Sequence, residues 1–224
     1  MKKKAVFGLV ATLALLLVAG GLYASNMGFK LNYVLEGQGT NGSLTGTNTI
    51  ALPFNQQTDL VDSFDLLVDI GGTGTVAAVA EFNRATNGFD GYTGTSGEAF
   101  GLVPGDAYLV QLRTGVPSVN YIIVGSHDPG LSITLDGLGT NGSAGGQNFY
   151  AYPYHSISTG ADQLITEIGG TAVIASVAEF NRGTNGFDGY TGTSGEAFPL
   201  EPGKGYLIQV RSGVPFVTFM PDHF

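Results

Sequence analysis

The sequence predicts a mainly β protein: two tandem β-sandwich or partly closed barrel modules, each with one short helix, behind an N-terminal signal segment. Three observations lead to this fold class. The chain begins with a basic and then apolar segment, a long stretch of sequence occurs twice, and hydrophobic residues alternate with a period of two. The 36 glycines among 224 residues supply turns between short strands.

The N-terminus predicts an export signal. Three lysines at positions 2–4 precede an uncharged stretch over residues 5–24, and a polar chain follows. We expect a signal peptide over residues 1–24, with cleavage after Ala24 or, alternatively, after Ser25. A retained anchor stays open, because about 20 apolar residues just span a bilayer. The expected location is extracellular or at the cell surface, with the periplasm as an alternative and no membrane attachment after cleavage.

A duplicated unit occupies the rest of the chain. The segment Val79–Phe100 returns as Val177–Phe198, and of these 22 aligned positions only Ala85 against Gly183 differs. The duplication predicts a first β-rich repeat over residues 25–125 and a second over 126–224. Loops usually vary more than strands do. The near-identity therefore indicates either a recent duplication or two copies that offer the same surface to the same partner.

Period-two patterns predict the strands, because alternate side chains of a strand share one face. The alternating sets are Leu31, Tyr33 and Leu35; Tyr108, Val110 and Leu112; Leu131, Ile133 and Leu135; and Tyr206, Ile208 and Val210. Further strands are predicted over residues 49–54, 76–82, 119–124, 149–154, 173–180 and 216–220.

One short helix is predicted in each repeat. Thr159 with Asp162 resembles a capping box, and an apolar face then runs to Gly169, which ends the helix. That face consists of Leu164, Ile165 and Ile168. The corresponding set in the first repeat is Thr58, Phe64, Leu67, Val68, Ile70 and Gly71.

Four short runs of residues resemble a repeat found in exported and cell-surface proteins of bacteria and archaea. The runs are the strand 48–53 ending Leu-Pro, the helix 66–71 ending Ile-Gly, the strand 79–83 ending Phe-Asn, and the segment 100–110 that contains Pro-Gly and Tyr108. The second repeat matches at its end, with Pro202-Gly203-Lys204-Gly205-Tyr206. The resemblance implies an extracytoplasmic structural or adhesive β-module, and it transfers no catalytic residue.

Composition excludes several classes of function. The formal net charge is −9, and it becomes −12 without the three N-terminal lysines (6 Lys+Arg against 18 Asp+Glu). Nucleic-acid binding depends on basic side chains that neutralise phosphates, so no nucleic-acid partner is expected. The absence of Cys excludes disulfide frameworks and thiol nucleophiles.

Paired carboxylates in the repeated segment are the candidate metal ligands. Asp90 with Glu98, and Asp188 with Glu196, lie among Asn and Thr residues. Oxygen ligands on a loop suit calcium, which is the only cofactor the sequence suggests. The spacing matches no established calcium-loop pattern, and the alternative is that these are solvated loop carboxylates.

Aromatic residues in the same segment are the candidate ligand-binding or partner-binding residues. Phe89 with Tyr92, and Phe187 with Tyr190, could stack on sugar rings. The alternative is that the phenylalanines fill the core and the tyrosines cap it.

The sequence predicts no catalytic residue. Ser96 lacks the Gly two positions later that a hydrolase elbow needs, and the three histidines have no counterpart between repeats. We therefore expect a secreted or cell-surface structural protein, not an enzyme, that self-associates into oligomers, filaments or a surface layer. The alternative function is a glycan-binding or adhesive module on the cell envelope, with envelope glycans as partners.

Overall fold

A computed structural model describes residues 28–52, 55–56, 60–126, 130–154 and 156–222. This part of the chain is mainly β, with four antiparallel sheets and two short helices, and the sheets do not close into a barrel. The predicted mainly β fold class is confirmed, in its sandwich form. The proposed signal segment lies outside the described residues.

The first repeat supplies seven strands and one helix. They are β1 (Gly28–Glu36), β2 (Thr47–Ala51), β3 (Asn55–Gln56), α1 (Ser63–Ile70), β4 (Val76–Asn83), β5 (Gly88–Tyr92), β6 (Ala107–Leu112) and β7 (Ser118–Ser126). The second repeat supplies β8 (Ile133–Asp136), β9 (Gln147–Ala151), α2 (Ala161–Ile168), β10 (Ile174–Asn181), β11 (Gly186–Tyr190), β12 (Gly205–Val210) and β13 (Phe216–Phe219).

Each repeat is a sandwich of one outer and one inner sheet. In the first repeat the outer sheet has the order β1-β7-β3 and the inner sheet the order β2-β6-β4-β5. In the second repeat the outer sheet is β13-β8 and the inner sheet is β11-β10-β12-β9. From its other edge the second inner sheet has the order β9-β12-β10-β11, and these strands are the counterparts of β2, β6, β4 and β5. The strand order of the inner sheets is therefore the same in both repeats, as the duplication predicts.

The alternating residues of the sequence face the interior of each sandwich. The face of β1 formed by Leu31, Tyr33 and Leu35 is buried, and so is the face of β6 formed by Tyr108, Val110 and Leu112. Corresponding side chains of β8 and β12 fill the second core. Burial of these apolar faces supplies most of the driving force for folding of each repeat.

The helices form where they were predicted, but their ends and faces differ from the prediction. Asp62 caps α1, because its Oδ1 accepts hydrogen bonds from the backbone N–H of Phe64 and Asp65 at 2.9 and 3.0 Å. Gly160 precedes α2 and offers no side-chain cap, so the predicted Thr159 capping box is wrong. Phe64 and Val68 point away from the core, although they were assigned to the apolar face of α1.

Strands β5 and β11 were not predicted. Each has the sequence Gly-Phe-Asp-Gly-Tyr, whose two glycines and one aspartate disfavour a strand. Their partners β4 and β10 hold them in register, with Phe82 opposite Phe89 and Val79 opposite Tyr92. The repeated segment is therefore a β-hairpin followed by a turn, and it is not one continuous loop.

Candidate functional site

The β4–β5 and β10–β11 hairpins have the same turn. The side-chain Oδ1 of Asn83 accepts a hydrogen bond from the backbone N–H of Ala85 at 2.8 Å, and Asn181 does the same with Gly183 at 2.8 Å. Asn87 and Asn185 take the left-handed backbone conformation, at φ 58° and 55°, which Asn tolerates better than most residues. These local interactions place Phe89 and Phe187 identically on their sheets.

The two hairpins pack against each other inside the chain. The rings of Phe89 and Phe187 are stacked, with centroids 6.1 Å apart and planes 2° from parallel. Phe149 meets both rings edge-on, at 5.3 and 5.8 Å. Phe82 and Phe180 contact the same pair from their own hairpins. We call these five residues the Phe cluster; all of them except Phe180 belong to a third apolar core between the two inner sheets.

Reciprocal backbone hydrogen bonds surround the Phe cluster. Leu44 N–H donates to Arg182 O at 2.9 Å, and Ala144 N–H donates to Arg84 O at 2.8 Å. In the same way Ala51 N–H donates to Gly203 O at 2.8 Å, and Ala151 N–H to Gly105 O at 2.9 Å. Each of these two backbone hydrogen bonds from the first repeat to the second is thus matched by one in the opposite direction, as at a two-fold dimer interface.

This arrangement gives a physical reason for the near-identity of the hairpins. A surface that packs on its own copy must be complementary to itself, so the same residues suit both sides. The Phe face of each hairpin packs against the other repeat, and Phe89 and Phe187 are half-buried there.

The predicted aromatic residues do not form one platform. Tyr92 pairs with Val79, which is buried in the first core, whereas Phe89 pairs with Phe82 of the Phe cluster. Phe89 and Tyr92 therefore lie on opposite faces of their sheet. Tyr190 packs against the second core. The positions of the aromatic residues therefore agree with the alternative that the phenylalanines fill a core and the tyrosines cap it. Sugar stacking by Tyr92 or Tyr190 stays a prediction.

The predicted calcium ligands are exposed on the hairpins. Asp90 Oδ2 accepts a hydrogen bond from Asn83 Nδ2 at 2.7 Å, and Asp188 Oδ2 accepts one from Asn181 Nδ2 at 2.7 Å. Asp90 and Glu98 border one open depression of about 500 Å³. Glu196 is exposed on the equivalent turn. Across the described ranges no three acidic or histidine side chains are arranged to hold a metal ion, and the calcium site stays a prediction.

The repeated Gly-Thr-Ser-Gly segment forms a turn closed by its own hydroxyls. Thr93 Oγ1 accepts a hydrogen bond from the backbone N–H of Ser96 at 3.0 Å, and Thr191 accepts the same bond from Ser194 at 3.0 Å. The three histidines, His127, His155 and His223, lie outside the described residues.

Two crevices flank the Phe cluster at equivalent positions, and they differ in size. The closed crevice, at Arg84 and Phe149, has a volume of about 20 Å³. The open crevice, at Arg182 and Thr49, has a volume of about 280 Å³. Thr49 and Phe149 occupy equivalent positions on β2 and β9, so the smaller side chain lies at the larger crevice.

Ion pairs fill the closed crevice. Arg84 Nη1 lies 2.7 Å from Asp136 Oδ2, and Arg84 Nη2 lies 3.5 Å from Asp106 Oδ1. Burial raises the pKa of Asp106, and the nearby Arg84 opposes that rise. Burial also raises the pKa of Glu81, and the charges of Asp90 and Asp106 raise it further.

The open crevice has a different set of charges. Lys204 replaces Asp106 and lies 2.8 Å from Glu201. Burial raises the pKa of Glu179, and Lys204 opposes that rise. The sequence reasoning missed these residues, although the mismatches Asp106/Lys204 and Thr49/Phe149 stand out when the two repeats are aligned.

An exposed apolar stripe lies on α1 and on the chain segments beside it. It consists of Val61, Phe64, Val68 and Val103, which are 67%, 46%, 50% and 51% exposed. Phe64 and Val68 are one helical turn apart. A hydrogen bond of 2.9 Å from Leu102 N–H to Val61 O brings Val103 beside Val61. We call this set the α1 stripe.

Comparisons with known proteins found no matching family model, no similar curated protein and no similar solved structure. The two helices that the structure describes are both too short to cross a membrane.

Proposed function

We propose that this chain is an exported, non-catalytic structural protein that self-associates, and that the α1 stripe is its contact surface. The stripe is the observation that carries the proposal. Four large apolar side chains that lie together in the open are typical of a protein contact surface. The N-terminal signal pattern and the resemblance to surface repeats support export.

The second repeat provides an internal comparison for the stripe. The residues 98 positions later, in the same places of the fold, are Thr159, Asp162, Thr166 and Glu201. All four apolar positions of the first repeat are thus polar in the second. The fold does not require apolar side chains there, so we attribute them to binding.

A second copy of the chain is the proposed partner. The α1 stripe of one chain can meet the α1 stripe of another chain across a two-fold axis, which covers both stripes at once. The net charge of −9 makes two copies repel each other. Salt screens this repulsion, so self-association should strengthen as the ionic strength rises. A basic partner would show the opposite dependence on salt.

Light scattering after size exclusion tests the proposal. The mature chain is measured over a range of concentrations, at low and high salt, with and without calcium. We expect dimers or larger assemblies that are more abundant at high salt. Electron microscopy of negatively stained samples then distinguishes dimers from filaments or sheets. Monomers under every condition would contradict self-association.

A variant that copies the second repeat locates the contact. Phe64→Asp with Val68→Thr replaces the two helical residues of the α1 stripe by the residues that α2 carries at the same positions. We expect this variant to be monomeric and to keep its circular dichroism spectrum. Asp162→Asn on α2 is the matched control and should assemble like the natural chain. Unchanged assembly of the double variant would exclude the α1 stripe as the contact.

A further inference from the structure

The open crevice is built from polar groups of both repeats. Asn32 and Thr49 come from the first repeat, and Glu179, Arg182 and Lys204 come from the second. Its volume of about 280 Å³ lies just below the range of pockets that take drug-sized ligands. A molecule about as large as one sugar ring would fit.

Thr49 keeps this crevice open. At the equivalent position of the other crevice, Phe149 packs its ring against Phe89 and Phe187, and about 20 Å³ remains. The same architecture therefore produces a filled crevice with Phe and an open one with Thr. The open crevice depends on a side-chain difference and is not an unavoidable packing defect of the fold.

Arg182 is the unpaired counterpart of Arg84. Arg84 lies between two carboxylates, Asp136 and Asp106. Among the residues that the structure describes, the Arg182 guanidinium forms no ion pair and donates no hydrogen bond, and Lys204 stands where Asp106 would be. An arginine beside a cavity without a carboxylate partner is suited to bind an anion, because its planar fork matches a carboxylate.

Glu36 provides independent support for the absence of an ion-pair partner at Arg182. It corresponds to Asp136, and both accept a hydrogen bond of 2.8 Å from the amide of an Asn five residues later. The second oxygen of Asp136 binds Arg84, whereas Oε2 of Glu36 is buried with no described partner. Glu36 is only 6% exposed. Arg182 therefore forms no ion pair with Glu36, although it corresponds to Arg84, and it lines the cavity.

From these observations we propose that the open crevice binds a small hydroxylated carboxylate, such as a single acidic sugar. Arg182 binds the carboxylate. Thr49, Asn32 and Glu179 supply donors and acceptors for hydroxyl groups. Lys204 is held by Glu201 and contributes positive charge near the anion. This binding activity is separate from assembly through the α1 stripe.

Calorimetric titration of the full-length protein with glucuronate tests the site. Glucose, which has the same ring without the carboxylate, and acetate, which lacks the ring, are the reference ligands. We expect saturable binding of glucuronate that is at least tenfold tighter than that of either reference. No binding of glucuronate, or equal binding of glucose, would overturn the proposal. Equal binding of acetate would reduce the site to a simple anion site and would also overturn it.

Two variants locate the ligand. Arg182→Gln should weaken glucuronate binding at least tenfold, whereas the matched change Arg84→Gln should leave it within about twofold, since Arg84 lies in the filled crevice. Thr49→Phe copies the second repeat and should abolish binding. Thermal unfolding of each variant establishes that it is folded, and Thr49→Ser serves as a mild control if Thr49→Phe does not fold. Binding that is unchanged in Arg182→Gln would exclude the open crevice.

Discussion

The two repeats share 21 of 22 residues over the hairpin segment (22 − 1 differing position), yet the surroundings of that segment differ between the repeats. Near the first hairpin, Arg84 is enclosed by carboxylates and the crevice is filled. Near the second, Arg182 lies beside an open cavity. The identical residues contribute to the interface between repeats, and the differing residues give the two crevices different volumes and different charges. In a duplicated protein the residues that differ between the repeats are therefore the better candidates for functional residues.

The helices give the same lesson. Both helices bury Leu and Ile on one face and end at a glycine, Gly71 or Gly169. Of the two helices that the structure describes, α1 alone has an exposed apolar face and a side-chain cap. Because both helices pack on equivalent cores, folding does not require the difference between the exposed faces of α1 and α2.

The largest effect is expected at the Phe cluster. Phe89→Ala and Phe187→Ala should each lower the free energy of unfolding by about 2–4 kcal/mol, because each removes a ring from a packed interface. The double variant should lose less than the sum of the two, by about 0.5–1.5 kcal/mol, since the stacked pair is lost only once. Urea denaturation measures all three.

Phe216→Ala, at a 55% exposed position of β13 outside the α1 stripe, is the control for this cycle and should cost less than about 1 kcal/mol. Strict additivity of Phe89→Ala and Phe187→Ala would mean that the two hairpins do not contact each other.

The next effect separates the two arginines. Arg84→Gln should cost about 1–3 kcal/mol, because it leaves Asp136, whose side chain is 4% exposed, without its guanidinium. Arg182→Gln should change stability by less than about 0.5 kcal/mol, since no described partner is lost. Urea denaturation measures both variants. Equal losses in the free energy of unfolding would show that the two crevices are electrostatically alike and would contradict the difference described above.

A smaller effect is expected at the helix caps. Asp62→Ala should cost about 1 kcal/mol, because two backbone N–H groups of α1 lose their acceptor. Gly160→Ala at the start of α2 should cost less than Asp62→Ala, since no side-chain cap is lost there and the added Cβ, 2.6 Å from Asp162 Oδ1, meets only the end of a flexible side chain. Thermal unfolding of both variants gives the difference, and a larger loss at Gly160 would contradict the assignment of caps.

The smallest effect is a pair of pKa changes with opposite signs. Asp106→Asn should lower the pKa of Glu81, because a neighbouring negative charge disappears, whereas Lys204→Gln should raise the pKa of Glu179. Carboxyl NMR titration measures both, and shifts of the same sign would contradict the difference between the crevices.

The same pKa values predict how stability depends on pH. A carboxyl whose pKa is raised on folding keeps its proton in the folded chain after the unfolded chain has released it. The contribution of Glu81 to stability therefore falls as pH rises from its ordinary pKa of 4.5 through the raised value. Asp106→Asn should make this fall smaller.

The strands that carry regular alternation could be predicted from the sequence, because alternate burial leaves a direct pattern. The face of β6 formed by Tyr108, Val110 and Leu112 is an example. β5 could not be predicted from its residues, since Gly88 and Gly91 have weak strand propensity and its partner β4 supplies the order. The cap of α1 was missed because Asp62 stands between an apolar residue and Ser63, within a segment already assigned to the helix.

The candidate site was less predictable than the fold. The period of two would have placed Phe89 and Tyr92 on opposite faces if the hairpin had been recognised. The stacking of Phe89 on Phe187 depends on how the two repeats dock, which no local pattern encodes. The charge reversal from Asp106 to Lys204 was visible in the alignment, but its meaning required knowing that both positions border a crevice.

The stacked phenylalanines also have a consequence for fragments of the protein. A gene encoding only one repeat would produce a half-length chain whose Phe-lined sheet is left bare to water. Because that sheet normally rests on its near-twin, two half-length chains carry the complementary surfaces needed to recreate the arrangement as a homodimer. The tandem chain can thus be regarded as such a dimer joined by a covalent linker. Association of its two faces occurs within one molecule and does not depend on protein concentration.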